Sequence, residues 1–561
     1  MTVLSEPRQP AGLGLAESAR ARRGWRGNPT LTLVAVALGV MMVALDGTIV
    51  AVANPSIQSH LHASLADIQW VMNGYMLALA VTLIPIGKVG DRFGHKKVFV
   101  TGMVGFALFS AGIGLSGDTA KSISLVIAFR VAQGVFGAML MPTALALLRE
   151  TFPVDKLNAA LGIWAGVIGA STAAGPIVGG FLVQHVNWES CFYVNVVVGA
   201  VALAMTLLFV LETAPSPAAR SFDFVGIALL SAGLFSLIWA LMKASAYGWG
   251  SARTIGFFVG AAAALVLFVL CEFRAAQPLL PMRLFRSVSL SVGAVLNILL
   301  MFSLVGSMFF MSFFMQDVHG LGPLMSGVRM LPLTGTLIIG APLAGLVIQK
   351  VGPRLPMAGG LVVTAAGLFG LSRLGTASGP NDALLWFVLI GLGLSPVMVG
   401  AADVIVGSAP VELAGVAGGM TTTAMQVGGV LGTSVLGAVM SAKVAHLLPL
   451  RWAEAHLPVL VGQNLVEAKS LVSVGVAPVA PGTPHQVAAV ITGIAHSTFM
   501  SGLDAAFLIA SIAALAAAAV ALLIKPNLTV MEVAEVVGVV EVADQAPAHS
   551  AGTFLEAAGD L

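Results

Sequence analysis

The sequence predicts an all-α membrane protein that crosses the bilayer many times. Of its 561 residues, 58% are hydrophobic and only 9% are charged, whereas soluble domains carry about 25% charged residues. The apolar residues form blocks of about 20, which is the length of helix that crosses a hydrocarbon core about 30 Å thick. So few charges cannot solvate a globule of this size, and most of the chain is therefore expected to lie within a membrane.

Apolar blocks between polar breaks predict about fourteen transmembrane spans. They lie at residues 31–53, 67–87, 98–116, 124–148, 160–183, 190–211, 223–243, 254–271, 289–315, 327–349, 356–374, 383–407, 414–441 and 503–524. An even number of spans puts both termini on one side of the membrane. Lys and Arg are more numerous in the loops on that side, so the positive-inside rule predicts that both termini are cytoplasmic.

One carboxylate, Asp46, lies inside the first predicted span, in "MMVALDGTIVAVANPSI". It lies about 22 Å into the span, past the bilayer midplane, at 1.5 Å per residue. Inserting an acid there costs about 2.5–3.5 kcal/mol, so we expect it to face an aqueous cavity and to exchange protons. A structural hydrogen bond to Thr48 or to a neighbouring helix is the alternative. The run is too long for a signal-peptide core, so we expect it to be retained.

Two short polar loops repeat one pattern. "GKVGDRFGHKK" (87–97) follows the second predicted span, and "GLVIQKVGPRL" (345–355) follows the tenth. Two related halves are typical of secondary transporters. The second copy has Gln349 in the place of Asp91, so only the first loop can provide a charged gate. The first loop resembles the signature loop of the major facilitator superfamily, which implies gating roles for Gly87, Asp91, Arg92 and Gly94; a merely basic anchoring loop is the alternative.

The fourth predicted span contains an arginine, in "RVAQGVFGA". A guanidinium within a membrane cannot discharge, so Arg130 needs polar partners that face an aqueous cavity. Arg130 and Gln133 match the fourth-helix motif of the same superfamily, and the resemblance implies a part in proton coupling for Arg130. The alternative is an arginine that extends to the nearby outer interface.

The fifth predicted span, with "GVIGASTAAGPIVGG", is rich in glycine. Small residues allow helices to approach closely, and a proline bends the helix. The pattern resembles the motif found in drug exporters of the superfamily, which favours antiport over uptake. The matching residues are Gly166, Gly175, Pro176, Gly179 and Gly180. Generic packing of small residues is the alternative.

Two further motifs resemble the fourteen-span drug:proton antiporter branch of the superfamily. "LDGTIVAVANPSI" is similar to the first-span motif of that branch, but it departs at Ala51, where Asn is usual, and at Asn54. "WESCFYVN" (188–195) is similar to the start of the sixth span, but it has Glu189 for the usual Arg and Val197 for the usual Pro. The resemblance implies a major facilitator fold with two six-helix bundles and two extra linking helices.

This fold implies five consecutive regions. They are a cytoplasmic tail (1–30), a six-helix bundle (31–211), two linking helices (212–286), a second six-helix bundle (287–524) and a cytoplasmic tail (525–561). The second bundle is expected to contain a long external loop, 442–502, because "GVAPVAPGTP" breaks any helix there. The C-terminal tail is acidic and rich in small residues, which is typical of poorly ordered chain.

Other candidate residues are weaker. Asp403, near the cytoplasmic end of the twelfth span, is a second candidate for proton coupling or a plain interfacial residue. Asp317 and Arg329 flank an outer loop and are expected to be solvated. A substrate cavity is expected to include Gln133, Trp164, Met308, Met311 and Gln426. Met and Phe side chains suit varied apolar ligands, although such stripes more often face lipid or core.

These motifs predict proton-driven export of bulky, amphipathic compounds such as antibiotics, by alternating access in the inner membrane of a bacterium. Export of one dedicated metabolite is the alternative, and uptake by proton symport is less favoured. No nucleotide-binding G-x-x-x-x-G-K-[ST] loop and no H-E-x-x-H or G-x-S-x-G motif occurs, which disfavours an ATP-driven pump and an enzyme. We expect a monomer whose partners are its substrate, protons and lipid, with no cofactor beyond the proton gradient and no nucleic acid.

Overall fold

A computed structural model describes residues 26–212, 223–275, 278, 280, 282–408, 414–458, 462–480 and 482–524. These residues form helices joined by short turns, and the described part of the chain contains no strand. The predicted tail 525–561 and nearly all of the predicted tail 1–30 lie outside the described residues.

Seven helices form the first half of the molecule. They are α1 (Pro29–Leu61), α2 (Leu65–Phe93), α3 (His95–Leu115), α4 (Ile123–Gly137), α5 (Leu140–Thr151), α6 (Val154–His185) and α7 (Ser190–Phe209). A π-helical turn, Ser116–Ala120, extends α3. The fourth predicted span corresponds to α4 and α5 together, with a turn at Ala138 and Met139 between them.

In the described parts of the linking region and the second half, nine α-helices are present. They are α8 (Phe224–Tyr247), α9 (Ala252–Arg274), α10 (Val288–Phe313), α11 (Pro323–Val351), α12 (Arg354–Ser372), α13 (Leu384–Gly407), α14 (Ala414–Glu454), α15 (Gly462–Val472) and α16 (His485–Ala521). A π-helical turn, Phe314–Val318, extends α10. The linking helix α8 lies against the first half through Trp70, whose ring centroid is 5.6 Å from that of Phe235.

Local signals explain the tight turn between the first two helices. The Asn28 side chain accepts hydrogen bonds from two backbone N–H groups at the start of α1, as helix N-caps do. His62 ends α1 in the left-handed region, with φ of 48°. Ser64 and Asp67 then form a reciprocal capping box that begins α2. The turn therefore needs only three residues between the two helices.

Each predicted span coincides with a helix or a helix pair. Among the described residues, thirteen of these are long and apolar enough to cross a membrane. The other prediction, 67–87, lies within α2, whose 29 residues extend about 43 Å. This helix also contains the buried amides of Gln69 and Asn73. The predicted all-α membrane fold is confirmed.

Helices occupy most of the predicted external loop over 442–502. Helix α14 continues to Glu454, α15 lies within the segment, and α16 already begins at His485. The 41 residues of α14 extend about 61 Å, far beyond a hydrocarbon core. Arg451 stabilises this extension, since its guanidinium donates hydrogen bonds to the hydroxyls of Ser497 at 3.3 Å and Ser501 at 2.9 Å on α16. The described part of "GVAPVAPGTP" is not helical.

The two halves contact each other mainly near one end of the bundle. We call the end that holds Arg92 and Lys97 the basic end, and the opposite end, where α1 meets α2, the distal end. Near the distal end, α6 packs on α11, and the Gln184 side chain accepts a hydrogen bond from the backbone N–H of Leu324 at 3.2 Å.

Helices α2 and α14 form a second contact between the halves, also displaced toward the distal end of α2. The Gln69 amide donates to the carbonyl of Thr433 at 2.6 Å. The Asn73 amide donates to the Ser434 hydroxyl at 2.9 Å and accepts from the Thr433 hydroxyl at 2.5 Å. A third contact between the halves joins the Gln316 amide to the carbonyl of residue 52 at 3.0 Å. The described contacts therefore close the distal end.

Candidate functional site

The first half contains a fully buried ion pair. Asp46 is 0% exposed and Arg130 is 1% exposed, and the Nη1 atom of Arg130 lies 2.5 Å from Oδ2 of Asp46. The guanidinium also donates through Nε to the carbonyl of Val71 at 3.0 Å and through Nη1 to Gln133 at 2.7 Å. Its carbon lies 4.2 Å from the ring centroid of Tyr75. Such additional bonds are what a buried charge pair requires.

Amide and hydroxyl groups complete the surroundings of the carboxylate. The side chains of Asn195 and Gln133 donate to Oδ1 of Asp46 at 2.8 and 3.3 Å. Both amides also donate to the Ser110 hydroxyl, at 3.0 and 3.1 Å, and this hydroxyl donates to the carbonyl of Phe192 at 3.0 Å. The network thus supplies three side-chain donors to one carboxylate, from Arg130, Asn195 and Gln133.

Four helices bring these residues together. Asp46 lies on α1, Ser110 on α3, and Asn195 on α7. Arg130 and Gln133 lie three residues apart on α4 and so share one face. Their helix approaches α2 closely at Gly134, where a Cβ atom would overlap the carbonyl oxygen of residue 75. The glycine therefore allows α4 to place both polar side chains within reach of Asp46.

The structure bears on both alternatives that the sequence left open at this site. Asp46 is 0% exposed and bonds to neighbouring helices, so it does not face an aqueous cavity in this conformation. Arg130 does not extend to an interface, because it is 1% exposed. The Thr48 hydroxyl donates to the carbonyl of Leu45 at 3.3 Å, rather than to Asp46. Asp46 instead bonds to neighbouring helices, and one of its partners is the charged Arg130.

Sequence reasoning missed two members of the network, Asn195 and Ser110. Asn195 is the last residue of "WESCFYVN" and a polar residue at the start of an apolar helix, so its buried position was a usable signal. Ser110 had no such signal, because single serines are common in membrane helices and their hydroxyls often bond to the preceding turn.

The second acidic candidate does not join the site. Asp403 is exposed near the end of α13, at the basic end of the molecule. It therefore shares no described contact with Asp46. Asp317, by contrast, was expected to be solvated and is half-buried, with an Oδ2 atom that has no hydrogen-bond partner among the described residues. Arg329 is also half-buried and donates to Asn381 at 2.7 Å.

The predicted cavity residues occupy different surroundings. Met308 and Met311 are 3% and 0% exposed and belong to the packed apolar core, so the expectation of a cavity lining is not met in this conformation. Trp164 and Gln426 are half-buried. The indole N–H of Trp164 has no hydrogen-bond partner among the described residues. Gln133 belongs to the Asp46 network instead.

The signature loop forms a sharp turn between α2 and α3. Gly94 has φ of 97°, a conformation that favours glycine, and its N–H donates to the carbonyl of Gly90 at 2.9 Å. Arg92 is exposed, with its guanidinium 5.4 Å from the Phe93 ring. Gly87 and Asp91 belong to the backbone of α2, but their surroundings, including the Asp91 side chain, lie outside the described residues.

The glycine-rich motif lies on α6, where it packs against two helices, α1 and α11. A Cβ atom at Gly175 would overlap Thr48 on α1, and one at Gly179 would lie 2.8 Å from the carbonyl oxygen of Ile49. A Cβ atom at Gly180 would lie 2.6 Å from the carbonyl oxygen of Pro323 in the second half.

Two further residues of the motif differ in their surroundings. The carbonyl of Pro176 lies so close to Gly327 on α11 that a Cβ atom there would overlap it. Gly166 differs from the rest, since a Cβ atom there would meet nothing within 4 Å. The motif thus brings α6 close to α1 and, at the distal end, to the second half.

Comparisons with known proteins agree with this architecture. A family model described as Major Facilitator Superfamily matches residues 36–433. The chain is 54% identical over 499 residues to the tetracenomycin C resistance and export protein of Streptomyces glaucescens, which covers 89% of this chain and 92% of that protein. It is 33% identical over 433 residues to the multidrug resistance protein Stp of Mycobacterium tuberculosis, with 76% and 78% covered.

A similar fold is found among solved structures. A bacterial homolog of the human lysosomal transporter Spinster, in an inward-facing and unoccupied conformation, superposes with a TM-score of 0.59 at 17% identity. The match covers 88% of this chain and 98% of that chain. At this identity the likeness concerns the fold alone.

Proposed function

This chain belongs to the major facilitator superfamily, and we propose that it exports a bulky, antibiotic-like molecule in exchange for protons. The observation that carries the proposal is the buried pair of Asp46 and Arg130, held by amide donors within a membrane-spanning half. Two relatives named for resistance or export, at 54% and 33% identity, support efflux as the direction of transport.

The chemistry of the site suits proton coupling. In the present arrangement the Asp46 carboxylate neutralises the guanidinium of Arg130. A proton on the carboxylate removes this neutralisation and weakens the three donor bonds, so Arg130 must find other partners or more water. A proton and a substrate that both change the neutralisation of Arg130 by Asp46 compete for the same conformation of the protein. Entry of each proton down a membrane potential supplies about 2.3 kcal/mol per 100 mV.

The closed distal end defines one state of an alternating-access cycle. If the basic end faces the cytoplasm, as the positive-inside rule predicts, the conformation is closed to the outside. Release of substrate then requires rocking of the halves, which breaks the bonds of Gln69 and Asn73 to α14 and of Gln316 to α1. We place the protein in the bacterial cell membrane as a monomer with both termini in the cytoplasm. A tag at either terminus should be labelled only after the cells are permeabilised.

Proteoliposomes that contain a pH-sensitive dye test the coupling. Substrate added to one side should move protons in the wild type, and Asp46→Asn should abolish both this signal and export against a gradient. Asp403→Asn is the matched control, because Asp403 is an exposed acid of the second half. An Asp46→Asn protein that still exports against a gradient would refute the assignment, and a loss only in Asp403→Asn would move coupling to that residue.

Dedicated export of one antibiotic is the second candidate. The 54% identity to a tetracenomycin C exporter, against 33% to a multidrug resistance protein, favours this narrower substrate range. Expression in a pump-deficient host separates the two. Resistance confined to tetracenomycin C supports dedicated export, whereas resistance that extends to cationic dyes and antiseptics supports multidrug efflux.

A further inference from the structure

A histidine and a glutamate lie in contact at the distal end of the first half. His60 belongs to the last turn of α1, and Glu189 is the residue that precedes α7. The side chain of His60 is 42% exposed, whereas that of Glu189 is 1% exposed, and Nδ1 of His60 lies 3.4 Å from Oε1 of Glu189. The indole N–H of Trp188 donates to the same Nδ1 atom at 2.8 Å.

The hydrogen bond from Trp188 makes Nδ1 of His60 an acceptor in this arrangement, so this nitrogen has no hydrogen to donate to Glu189. Oε1 of Glu189 faces this nitrogen and has no hydrogen-bond partner among the described residues. A negative charge on this buried oxygen atom would face no donor, which is costly. The arrangement therefore suits a protonated Glu189.

The groups that surround Glu189 agree with this protonation state. Burial raises the pKa of its carboxyl group, the charge of Asp118 raises it further, and His60 and a backbone hydrogen bond oppose the shift. Asp118 lies in the π-helical turn after α3 and accepts a hydrogen bond from the Tyr193 hydroxyl at 2.9 Å. The same turn covers Glu189, since a Cβ atom at Gly117 would lie 3.0 Å from the Glu189 Cγ atom. His60 is the exposed member of the pair and can exchange protons with the distal solution.

Helix α7 joins this pair to the central network. Phe192 lies three residues from both Glu189 and Asn195, so it neighbours each of them on the helix surface, and Glu189 lies about 9 Å along the axis from Asn195. The carbonyl of Phe192 accepts the Ser110 hydroxyl, and Asn195 donates to Asp46 at 2.8 Å. The partner helix α1 carries both His60 and Asp46. Helices α1 and α7 are therefore joined at two positions along their length, by Asp46 with Asn195 and by His60 with Glu189.

We propose that His60 and Glu189 form a second proton-binding site, which takes protons from the distal solution and controls the contact between α1 and α7. The proposal rests on proton-coupled export as the function of the protein. In the present arrangement the pair holds one proton, on Glu189.

Transfer of this proton to Nδ1 of His60 produces an imidazolium and a carboxylate joined by a charge-assisted hydrogen bond. The transfer breaks the bond from Trp188, whose N–H loses its acceptor. No proton is gained or lost in this step, and any further proton enters or leaves through the distal solution.

Trp188 provides a readout that does not depend on transport, because an imidazolium in contact with an indole quenches its emission. We would titrate the fluorescence of the full chain in detergent, without substrate or gradient. The chain has eight tryptophans, so Trp188→Phe isolates the contribution of this one. The Trp188 signal should fall as His60 becomes protonated, and His60→Asn should abolish this component.

Glu189→Gln tests the glutamate. Without the carboxylate the imidazolium loses its partner, so the midpoint of the His60 titration should fall by about one pH unit, a tenfold loss of proton affinity. Asp118→Asn, which removes an exposed acid from the same end, should cause a smaller shift. An unchanged midpoint in Glu189→Gln, or no component that depends on His60, would overturn the proposal.

A second measurement covers the case in which Glu189→Gln does not fold. His60 is exposed, so His60→Asn should fold, and the infrared carbonyl band of the protonated carboxyl group should then persist to higher pH than in the wild type. An identical titration of this band in both proteins would contradict the proposed interaction between His60 and Glu189.

Transport assays separate this inference from the proposed function. If export is coupled to protons, Glu189→Gln should flatten the dependence of exchange on distal pH while exchange persists. An unchanged pH profile in Glu189→Gln, with exchange lost in Asp46→Asn, would defeat the inference and leave the function standing. Absence of proton movement in the wild type would defeat the function, whereas the fluorescence titration would still decide whether the pair binds protons.

Discussion

Removal of Arg130 offers a quantitative test of the buried ion pair. Arg130→Ala leaves Asp46 at 0% exposure without its charged partner, since the Nη1 to Oδ2 distance is 2.5 Å and both side chains are buried. Breaking such a pair by removing one partner costs about 3–5 kcal/mol. Asp46→Asn in the same protein removes the uncompensated charge. We therefore expect the double variant to be more stable than Arg130→Ala alone.

Thermal unfolding of the purified protein in detergent measures this effect. The wild type, both single variants and the double variant form a double-mutant cycle, and the coupling energy should be at least about 2 kcal/mol, within the range found for residues in contact. Arg451→Ala provides a matched control, because Arg451 is half-buried and bonds to serine hydroxyls rather than to an acid. Its cost should be smaller and should not change with Asp46→Asn.

An additive cycle would refute the reasoning. If the double variant of Asp46 and Arg130 loses as much stability as the two single variants together, the residues do not interact as an ion pair in the folded protein. The same result would also remove the structural basis of the proposed coupling, because protonation of Asp46 would then leave Arg130 unaffected.

Two other substitutions test the neighbouring contacts. Gly327→Val should abolish transport into inverted vesicles, because its side chain would overlap the carbonyl of Pro176 and keep the distal end from closing, whereas Gly166→Val should retain activity since a Cβ atom there meets nothing within 4 Å. Asn195→Ala should lower the free energy of unfolding by about 1–3 kcal/mol, because the carboxylate of Asp46 loses a donor. This loss should become smaller in an Asp46→Asn background, and an equal loss in both backgrounds would contradict the assigned hydrogen bond.

Much of the fold could be predicted because a lipid environment restricts the backbone to few conformations. Backbone groups within a bilayer must bond internally, so long apolar blocks become helices whatever their neighbours are. This reasoning succeeded for the spans. It did not predict that the helices α14 and α16 continue into 442–502. There α14 and α16 continue because they pack on each other, as Arg451 illustrates.

The candidate site was predictable in part for the same reason. Asp46 and Arg130 are conspicuous because charges are costly in a membrane, so each implied a partner. Their pairing and the participation of Asn195 could not be read from spacing, since the partners lie 84 and 149 residues from Asp46 in the chain. The role of Met308 and Met311 could not be predicted from the sequence, because methionine side chains can line a cavity or fill a packed core.

The sequence by itself determined that the protein is a helical bundle in a membrane with costly charges inside its first half, because hydropathy and charge are local properties. Only the tertiary structure decided which charges meet. It joined Asp46 to Arg130, left Asp403 exposed, and placed Glu189 beneath His60. The physical reason is that a buried charge is stabilised by the geometry of its partners, and that geometry depends on how distant helices pack.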